Sequence, residues 1–427
     1  MSRQWQFETQ QIHAGASPDP VTGARATPIC QTTSYVFDDP DHAADLFALS
    51  RPGNIYVRMM NPTTAVVEKR LAALEGGSGA LMLASGESAE TVAVLNIAGA
   101  GDHVVSSNAI YGGTHNLFAH TLARLGIETT FVRDQDDLDE WREAIRPNTR
   151  LLFGESVGNP RTNLLDIAGV ADIAHSAGVP LIVDNTLASP FLIRPFDHGA
   201  DIVVHSATKF LGGHGTVLGG VIVDGGRFEW SAQPDRFREL NGPDPSYNGI
   251  RYTDAVGDQL AYITKARVQL LRDLGPAIAP ASAWQILQGI EALSVRMERH
   301  TSNALTIADW LERHPRVTAV HYSGLPSSPW HAAAATYAPR GVRAVFSFDL
   351  AGGVEAGREF VERLTLFSHL ANVGDVRSLV IHPASTTHSQ PTPRHLADAG
   401  ITPGLIRLSI GLEHVDDLIA DLNDALT

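Results

Sequence analysis

From residue 79 onward, short apolar runs alternate with amphipathic stretches. The runs at 79–84, 103–106, 128–132, 151–155, 180–183 and 202–205 have the length of strands covered on both faces. Between them, 87–98, 114–125 and 167–177 carry apolar positions at helical spacing. Strand and helix in alternation predict an α/β fold built on a mostly parallel, doubly wound sheet. After residue 223 the pattern loosens. The polar segment 224–252 takes no assignment, and 260–312 reads as a long helical region connecting two domains. Strands at 317–322 and 344–350, a helix at 353–367, strands at 378–382 and 406–411, and a last helix with Val415, Leu418, Ile419 and Leu422 on one face predict a smaller C-terminal α/β domain.

The start of the chain differs. Up to about residue 55 it carries Pro18, Pro20, Pro28, Pro40 and Pro52 among glycines, which predicts an extended arm with little regular structure that packs on something else. Val67, Leu71 and Leu74 then mark a helix stopped by Gly76 and Gly77, with Tyr56 and Arg58 just ahead of it. The expected divisions are an arm at 1–60, a central domain at 61–265, and a connecting helix with the C-terminal domain at 266–427.

Composition narrows the function. With 427 residues, 44% hydrophobic and 19% charged, the chain has ample material for the core of a soluble enzyme. A formal charge of −15 argues against nucleic acid or an anionic membrane as partner, so an anionic ligand must be held by a few local cations. Cys30 is the single cysteine, which removes intrachain disulfides, CxxC redox chemistry and cysteine-rich zinc sites. The eighteen histidines form no spaced cluster, so no metal site is expected. The start MSRQWQFETQQIH lacks the apolar run of a signal peptide, and no stretch reaches the length of a membrane span; a cytoplasmic protein is expected. Phosphate-loop, HExxH and GxSxG motifs are missing, and Gly77-Ser78-Gly79 and Gly99-Ala100-Gly101 lack the spacing of a dinucleotide fingerprint.

The remaining chemistry lies where strands end. Lys209 follows the run Ile202-Val203-Val204, near Ser206, Thr208, Gly212, Gly213 and Gly215. Ligands collect at such strand ends; the hydroxyls can donate to phosphate oxygens and the glycines let backbone come close. A lysine there either snorkels to water or sits in a pocket that changes its chemistry, such as capture of an aldehyde cofactor. Asp184 follows Leu181-Ile182-Val183, and a carboxylate emerging from an apolar strand needs a cationic partner, which a protonated pyridine nitrogen would be. Tyr111 offers a ring for stacking on a flat cofactor. Ser85-Gly86-Glu87 precedes a helix whose first amides could hold a phosphate.

Taken with His13-Ala-Gly, Tyr56-Val-Arg58, Asn61-Pro-Thr, Tyr111-Gly-Gly-Thr, Gly158-Asn159-Pro160, Asp184-Asn-Thr, His205-Ser-Ala-Thr-Lys209, Gly213-His-Gly-Thr and the run from Ser378 to His388, these residues make the chain recognisable over nearly its whole length. It resembles the Cys/Met-metabolism family of fold-type I pyridoxal-phosphate enzymes, and within it the O-acetylhomoserine sulfhydrylase subgroup. The resemblance implies pyridoxal 5'-phosphate as cofactor, with the central domain binding it. It implies Lys209 as Schiff-base lysine and proton shuttle, Asp184 on the pyridine nitrogen, Tyr111 on the ring and Asn159 near the phenolic oxygen. The phosphate would be held by the amides of Gly86 and Glu87, by Ser206 and Thr208, and by Tyr56 and Arg58 from a neighbouring subunit in a dimer of dimers. Arg407 and the backbone of Ser378 would grip a substrate carboxylate. Glu87, Met59, Met60 and Asn248 depart from the subgroup's pattern. The implied activity is γ-replacement on O-acetyl-L-homoserine with sulfide or a small thiol; γ-elimination, or another nucleophile, remains the alternative within the fold. A nucleotide-binding oxidoreductase or a non-catalytic α/β protein is the reading from outside it.

Overall fold

A computed structural model describes residues 5–158, 162–386 and 402–427. Seven strands form the larger sheet: β1 (Gly79–Leu83), β2 (His103–Ser107), β3 (Glu128–Val132), β4 (Thr149–Glu155), β5 (Leu181–Asp184), β6 (Ile202–Ser206) and β7 (Gly220–Asp224). Their order is β1-β7-β6-β5-β4-β2-β3, and every strand except β7 points the same way. The period-two alternation within each strand builds two cores. Leu81, Leu83, Ile182, Ile202, Val204 and Ile222 fill one face, while Ala80, Met82, Val183, Val203, Val221 and Val223 fill the other. One edge of the sheet therefore collects the carboxyl ends of six strands, where doubly wound folds bind ligands.

The expected strands and helices at 79–206 are present, with ends displaced by a few residues. β7 was not expected. Its sequence, GVIVD, is as apolar as its neighbours, and nothing in the pattern announces that it runs antiparallel to both β1 and β6.

The arm carries more structure than its prolines suggest. α1 (Phe7–His13) and α2 (Pro40–Phe47) are helices, the second using Asp39 as N-cap and Pro40 at its first position. α1 is bolted to the body of its own chain: Gln11 exchanges two hydrogen bonds with Ser294, and the buried Arg70 donates to the carbonyls of Gln11 and Ala14. α3 (Pro62–Glu75) follows, ending at Gly76 in the left-handed conformation.

The helical region expected over 260–312 is broken. Helical turns run from Asp258 to Leu274 and stop at Gly275 (φ +81°); Pro280 then opens the helix Pro280–Glu291, and Leu293–Glu312 follows. The Gly275-Pro276 pair supplies both the left-handed stop and the missing donor. The segment without assignment forms short turns around the buried Trp230, which packs on Phe228, Phe237 and Tyr262.

The C-terminal sheet has the order β10-β11-β12-β9-β8, from β8 (Val317–His321), β9 (Val345–Leu350), β10 (Ser368–His369), β11 (Leu379–Ile381) and β12 (Leu405–Ser409). A helix at His331–Tyr337, absent from the sequence reading, lies between β8 and β9. The core of this domain, with Phe346, Phe348, Ile406, Leu408 and Leu418, is continuous with one face of the larger sheet. Among the described residues no helix is long and apolar enough to cross a membrane.

One contact aims the site. Gly220 sits in register between Leu83 and Ser206, and the chain leaving β1 crosses over it. A Cβ at Gly220 would lie 1.8 Å from the Ser85 carbonyl oxygen. Gly220→Ala should therefore cost about 3 kcal/mol in urea unfolding, whereas Gly99→Ala, with nothing within 4 Å of its Cβ, should change little. Equal midpoints for the two variants would show that the crossing is not tight.

Candidate active site

The chain that crosses Gly220 becomes α4 (Gly86–Leu95). Ser85 caps it reciprocally: its hydroxyl accepts from the Ser88 amide, and its own amide donates to the Ser88 hydroxyl. The amides of Gly86 and Glu87, which open the helix, have no partner among the described residues. Ser206, the last residue of β6, lies against them; a Cβ at Gly86 would come within 2.7 Å of the Ser206 Cβ and 3.0 Å of its Oγ. The Thr208 hydroxyl is nearby in chain and exchanges bonds with Gly219. Two unspent amides at the positive end of a ten-residue helix, beside a hydroxyl, make a cradle suited to a phosphate.

Lys209 lies in the turn after β6, whose backbone is closed by Lys209 N–H to Ser206 and Gly213 N–H to Lys209. Buried Arg296 pins the next residues by donating to the carbonyls of Phe210, Leu211 and Gly289. The lysine amine donates to Asn372 Oδ1 at 2.5 Å, an acceptor from the C-terminal domain. Burial, and then the Arg407 charge, lower the amine to about 8. Near neutral pH a much larger share of such an amine is neutral than of a solvated lysine.

Asp184 ends β5 and is buried, accepting from the Thr186 amide at 2.8 Å. Burial pushes its carboxyl up. Glu155 is its register partner at the end of β4, also buried, and accepts the Tyr111 N–H at 2.5 Å. Burial and the Asp184 charge push Glu155 well above the usual carboxylate range. Tyr111 stands at the N-cap of a short helix at Gly112–Asn116 and is 54% exposed, its ring available to a flat ligand. Burial, then Glu87 and Glu90, raise its phenol, so the ring carries no charge. Arg407, in the middle of β12, is lowered to about 10, chiefly by burial, and its guanidinium has no hydrogen-bond partner among the described residues. A desolvated, unpaired guanidinium is a receptor for a carboxylate.

Lys209, Asp184, Tyr111, Arg407, Gly86, Ser206 and Thr208 thus gather at one edge of the sheet and the facing C-terminal domain. Glu87 joins them with its carboxyl turned toward the Tyr111–Gly113 turn, since a Cβ at Gly113 would lie 2.2 Å from Glu87 Oε1; burial and Asp184 raise it. Ser378 is spent elsewhere. Its N–H and hydroxyl both donate to Glu413, and its carbonyl accepts from Ser368, so no backbone donor there is left for a substrate carboxylate. Tyr56 and Arg58 are exposed and pair with each other, the guanidinium 5.4 Å from the ring centroid. Arg58 borders a crevice with Met59, Met60, Arg267 and Ile278 and is not among the groups that converge on Lys209. Asn248 is exposed in a left-handed turn. Asn159 lies outside the described residues. Sequence reasoning missed Asn372, Arg296, Glu155 and Glu90. Glu155 carried the same signal as Asp184, a carboxylate ending an apolar strand, whereas Asn372 sits in an irregular loop with no pattern to mark it.

The sequence pattern of the family described as Cys/Met metabolism PLP-dependent enzymes matches residues 8–427. The chain is 53% identical to the O-acetyl-L-homoserine sulfhydrylase of Leptospira meyeri, over 100% of this chain and 98% of the relative. It is 52% identical to the homocysteine synthase of Schizosaccharomyces pombe, over 98% of each. The crystal structure of an O-acetylhomoserine (thiol)-lyase from Campylobacter jejuni, which contains N'-pyridoxyl-lysine-5'-monophosphate, superposes with a TM-score of 0.95 at 42% identity, covering 99% of this chain and 100% of that one. With this match in sequence, fold and strand-end chemistry, the chain belongs to the Cys/Met-metabolism family of PLP-dependent enzymes.

Proposed function

We propose that the protein replaces the acetate of O-acetyl-L-homoserine at Cγ with sulfide or a small thiol, giving homocysteine or a thioether. The observation that carries this reading is the convergence of a desolvated Lys209, a buried Asp184 and an unpaired Arg407 in a chain about half identical to sulfhydrylases throughout its length. Bound pyridoxal phosphate supplies the electron sink for charge that builds at Cα.

The chain's own groups do the rest. Gly86 and Glu87 amides with Ser206 and Thr208 would hold the phosphate, Tyr111 would offer its ring to the cofactor's ring, and Asp184 would supply the carboxylate for the ring nitrogen. Arg407 takes the amino acid's carboxylate and fixes Cα before Lys209; such orientation contributes up to roughly 7 to 11 kcal/mol. Lys209 anchors the cofactor and, once displaced by substrate, moves protons at Cα and Cβ until acetate leaves. Asn372 gives the displaced amine an acceptor to dock on. Addition at Cγ then completes replacement, whereas protonation and hydrolysis yield 2-oxobutanoate and ammonia.

The active unit is at least a dimer, in which Tyr56 and Arg58 reach the neighbour's phosphate. Their exposure supports this, as do Val21, Ile29, Val36 and Phe47, apolar side chains left open along the arm. A groove of about 330 Å³ bordered by Ala84, Leu218 and Ile278 opens beside the start of α4, where such a segment would enter. The single, unpaired Cys30 fits a reducing, cytoplasmic setting.

Supplied with O-acetylhomoserine and saturating sulfide, the enzyme should form homocysteine and acetate in equal amounts. Oxobutanoate as the main product would replace this reading with a lyase, and unconsumed O-acetylhomoserine would remove both. Lys209→Ala should fold, lose the cofactor link that borohydride fixes, and lose about 10³-fold or more in kcat. Because the amine becomes mostly neutral as pH rises past about 8, cofactor capture by the apo form should accelerate as pH rises through that value and then level off; a flat profile from pH 7 to 9 would contradict a desolvated Lys209. Arg58→Ala and Lys209→Ala proteins, each inactive, should regain activity when their subunits are exchanged, since a hybrid dimer has one intact site. No recovery after proven exchange would return Arg58 to its own subunit's site.

A further inference from the structure

Asn372 reaches Lys209 from a strip of chain, 372–376, that lies between β10 and β11 and belongs to neither strand. Alternate residues of the strip fasten it to both domains. Asn372 Oδ1 accepts from the Lys209 amine at 2.5 Å, and Val376 donates its N–H to the carbonyl of Gly213, the residue that closes the lysine's own turn. Between them, the buried Gly374 N–H donates to the Ser409 hydroxyl at 3.0 Å, its one acceptor among the described residues. The strip also rests on the lysine's backbone. A Cβ at Gly374 would lie 2.9 Å from Phe210 N and 3.1 Å from Lys209 Cβ, at a φ of +79° that favours glycine.

Ser409 ends β12 two residues after Arg407, so the two side chains leave the same face of the strand. One is the proposed grip on the substrate's carboxylate, and the other holds the strip that lies on Lys209. We propose that Ser409 is a positioning residue, which fixes Gly374 and thereby keeps Asn372 on the Lys209 amine at a set distance from Arg407. This rests on the proposed roles of Lys209 and Arg407.

The connections give that role a direction. Arg407 does not depend on the Ser409 hydroxyl, because β12 pairs along its length with β9 and Arg407 itself stands opposite Ser347 and Ile381. Asn372 does depend on it. Neither Asn372 nor Val373 makes a backbone hydrogen bond among the described residues, so the anchor before Asn372 is Leu370 on Val380, at 3.3 Å, and the one after it is Gly374 on Ser409. Without the hydroxyl, the buried Gly374 amide has no acceptor, and the strip shifts to find one. The amine then loses its docking point while the carboxylate grip stays in place, so chemistry slows and binding is kept.

The test is a double-variant cycle on Ser409 and Asn372. Ser409→Ala should lower kcat about tenfold with KM for O-acetylhomoserine unchanged, and Ser409→Thr, which keeps the hydroxyl, should restore most of the loss. Asn372→Ala should cost about as much, and Ser409→Ala added to it should change little more, since the hydroxyl acts through Asn372. The cofactor-free protein gives two readouts that do not pass through turnover. Hydrogen exchange over 372–376 should rise about tenfold in Ser409→Ala and match the parent in Asn372→Ala. Capture of pyridoxal phosphate, fixed with borohydride, should slow by the same factor in both variants. Gly374→Ala presses the strip off Lys209 without touching Ser409 and should slow capture as well, which keeps the test open if Ser409→Ala fails to fold. Lys209→Ala is the control on the reading itself: a borohydride-fixed link that survives there removes Lys209 from its role, and the proposal with it. With that control met, additive losses in the cycle, a rise in KM in place of the fall in kcat, unchanged exchange in Ser409→Ala or normal capture in Gly374→Ala would overturn the role of Ser409.

Discussion

The structure turns on the burial of charge at one sheet edge. Asp184, Glu155 and Glu90 are withdrawn from water in the larger domain, and Lys209 and Arg407 are desolvated across from them. Left alone, each of these groups is driven toward its neutral form, which is why the acids are raised and the bases lowered. The arrangement is costly as a fold and useful as a receptor. A ligand that carries phosphate, a basic ring nitrogen and an aldehyde answers the helix amides, the carboxylate and the amine in turn, and its binding stabilises what folding left strained.

The scaffold explains why these groups share one edge. Six strands run the same way, so residues as distant in sequence as Gly86, Glu155, Asp184 and Ser206 leave the sheet together. β7 is the exception, and its reversal is productive. Running back between β1 and β6, it places a glycine under the crossing chain, and that close passage sets the first turn of α4 against Ser206.

Much of this was legible in the sequence, for a physical reason. Lys209 and Asp184 are charged residues directly after apolar runs, and a charge at the end of a buried strand must either reach water or find a partner, so both stood out locally. The strand and helix periods of residues 79–206 were equally local. What escaped was set by tertiary context. Asn372 meets Lys209 only because a loop of the C-terminal domain folds over it, and Arg296 reads as one more polar residue on a helix until its three carbonyl acceptors are in place. Ser378 was drawn to the site by resemblance, but Glu413 had claimed its donors. The arm's second helix was hidden by Pro40, a residue type that starts helices as readily as it ends them.

The core continuous between the two sheets has a mechanical consequence. Swinging the C-terminal domain away on a hinge would uncover Phe346, Phe348 and their neighbours, at about 25 cal/mol for each Å² of apolar surface exposed. That leaves small sliding displacements as the inexpensive motion of Arg407 and Asn372 relative to Lys209. On the proposed reaction, a cleft held at nearly constant width would sort an incoming nucleophile by whether it fits, not by whether it can make the protein close around it.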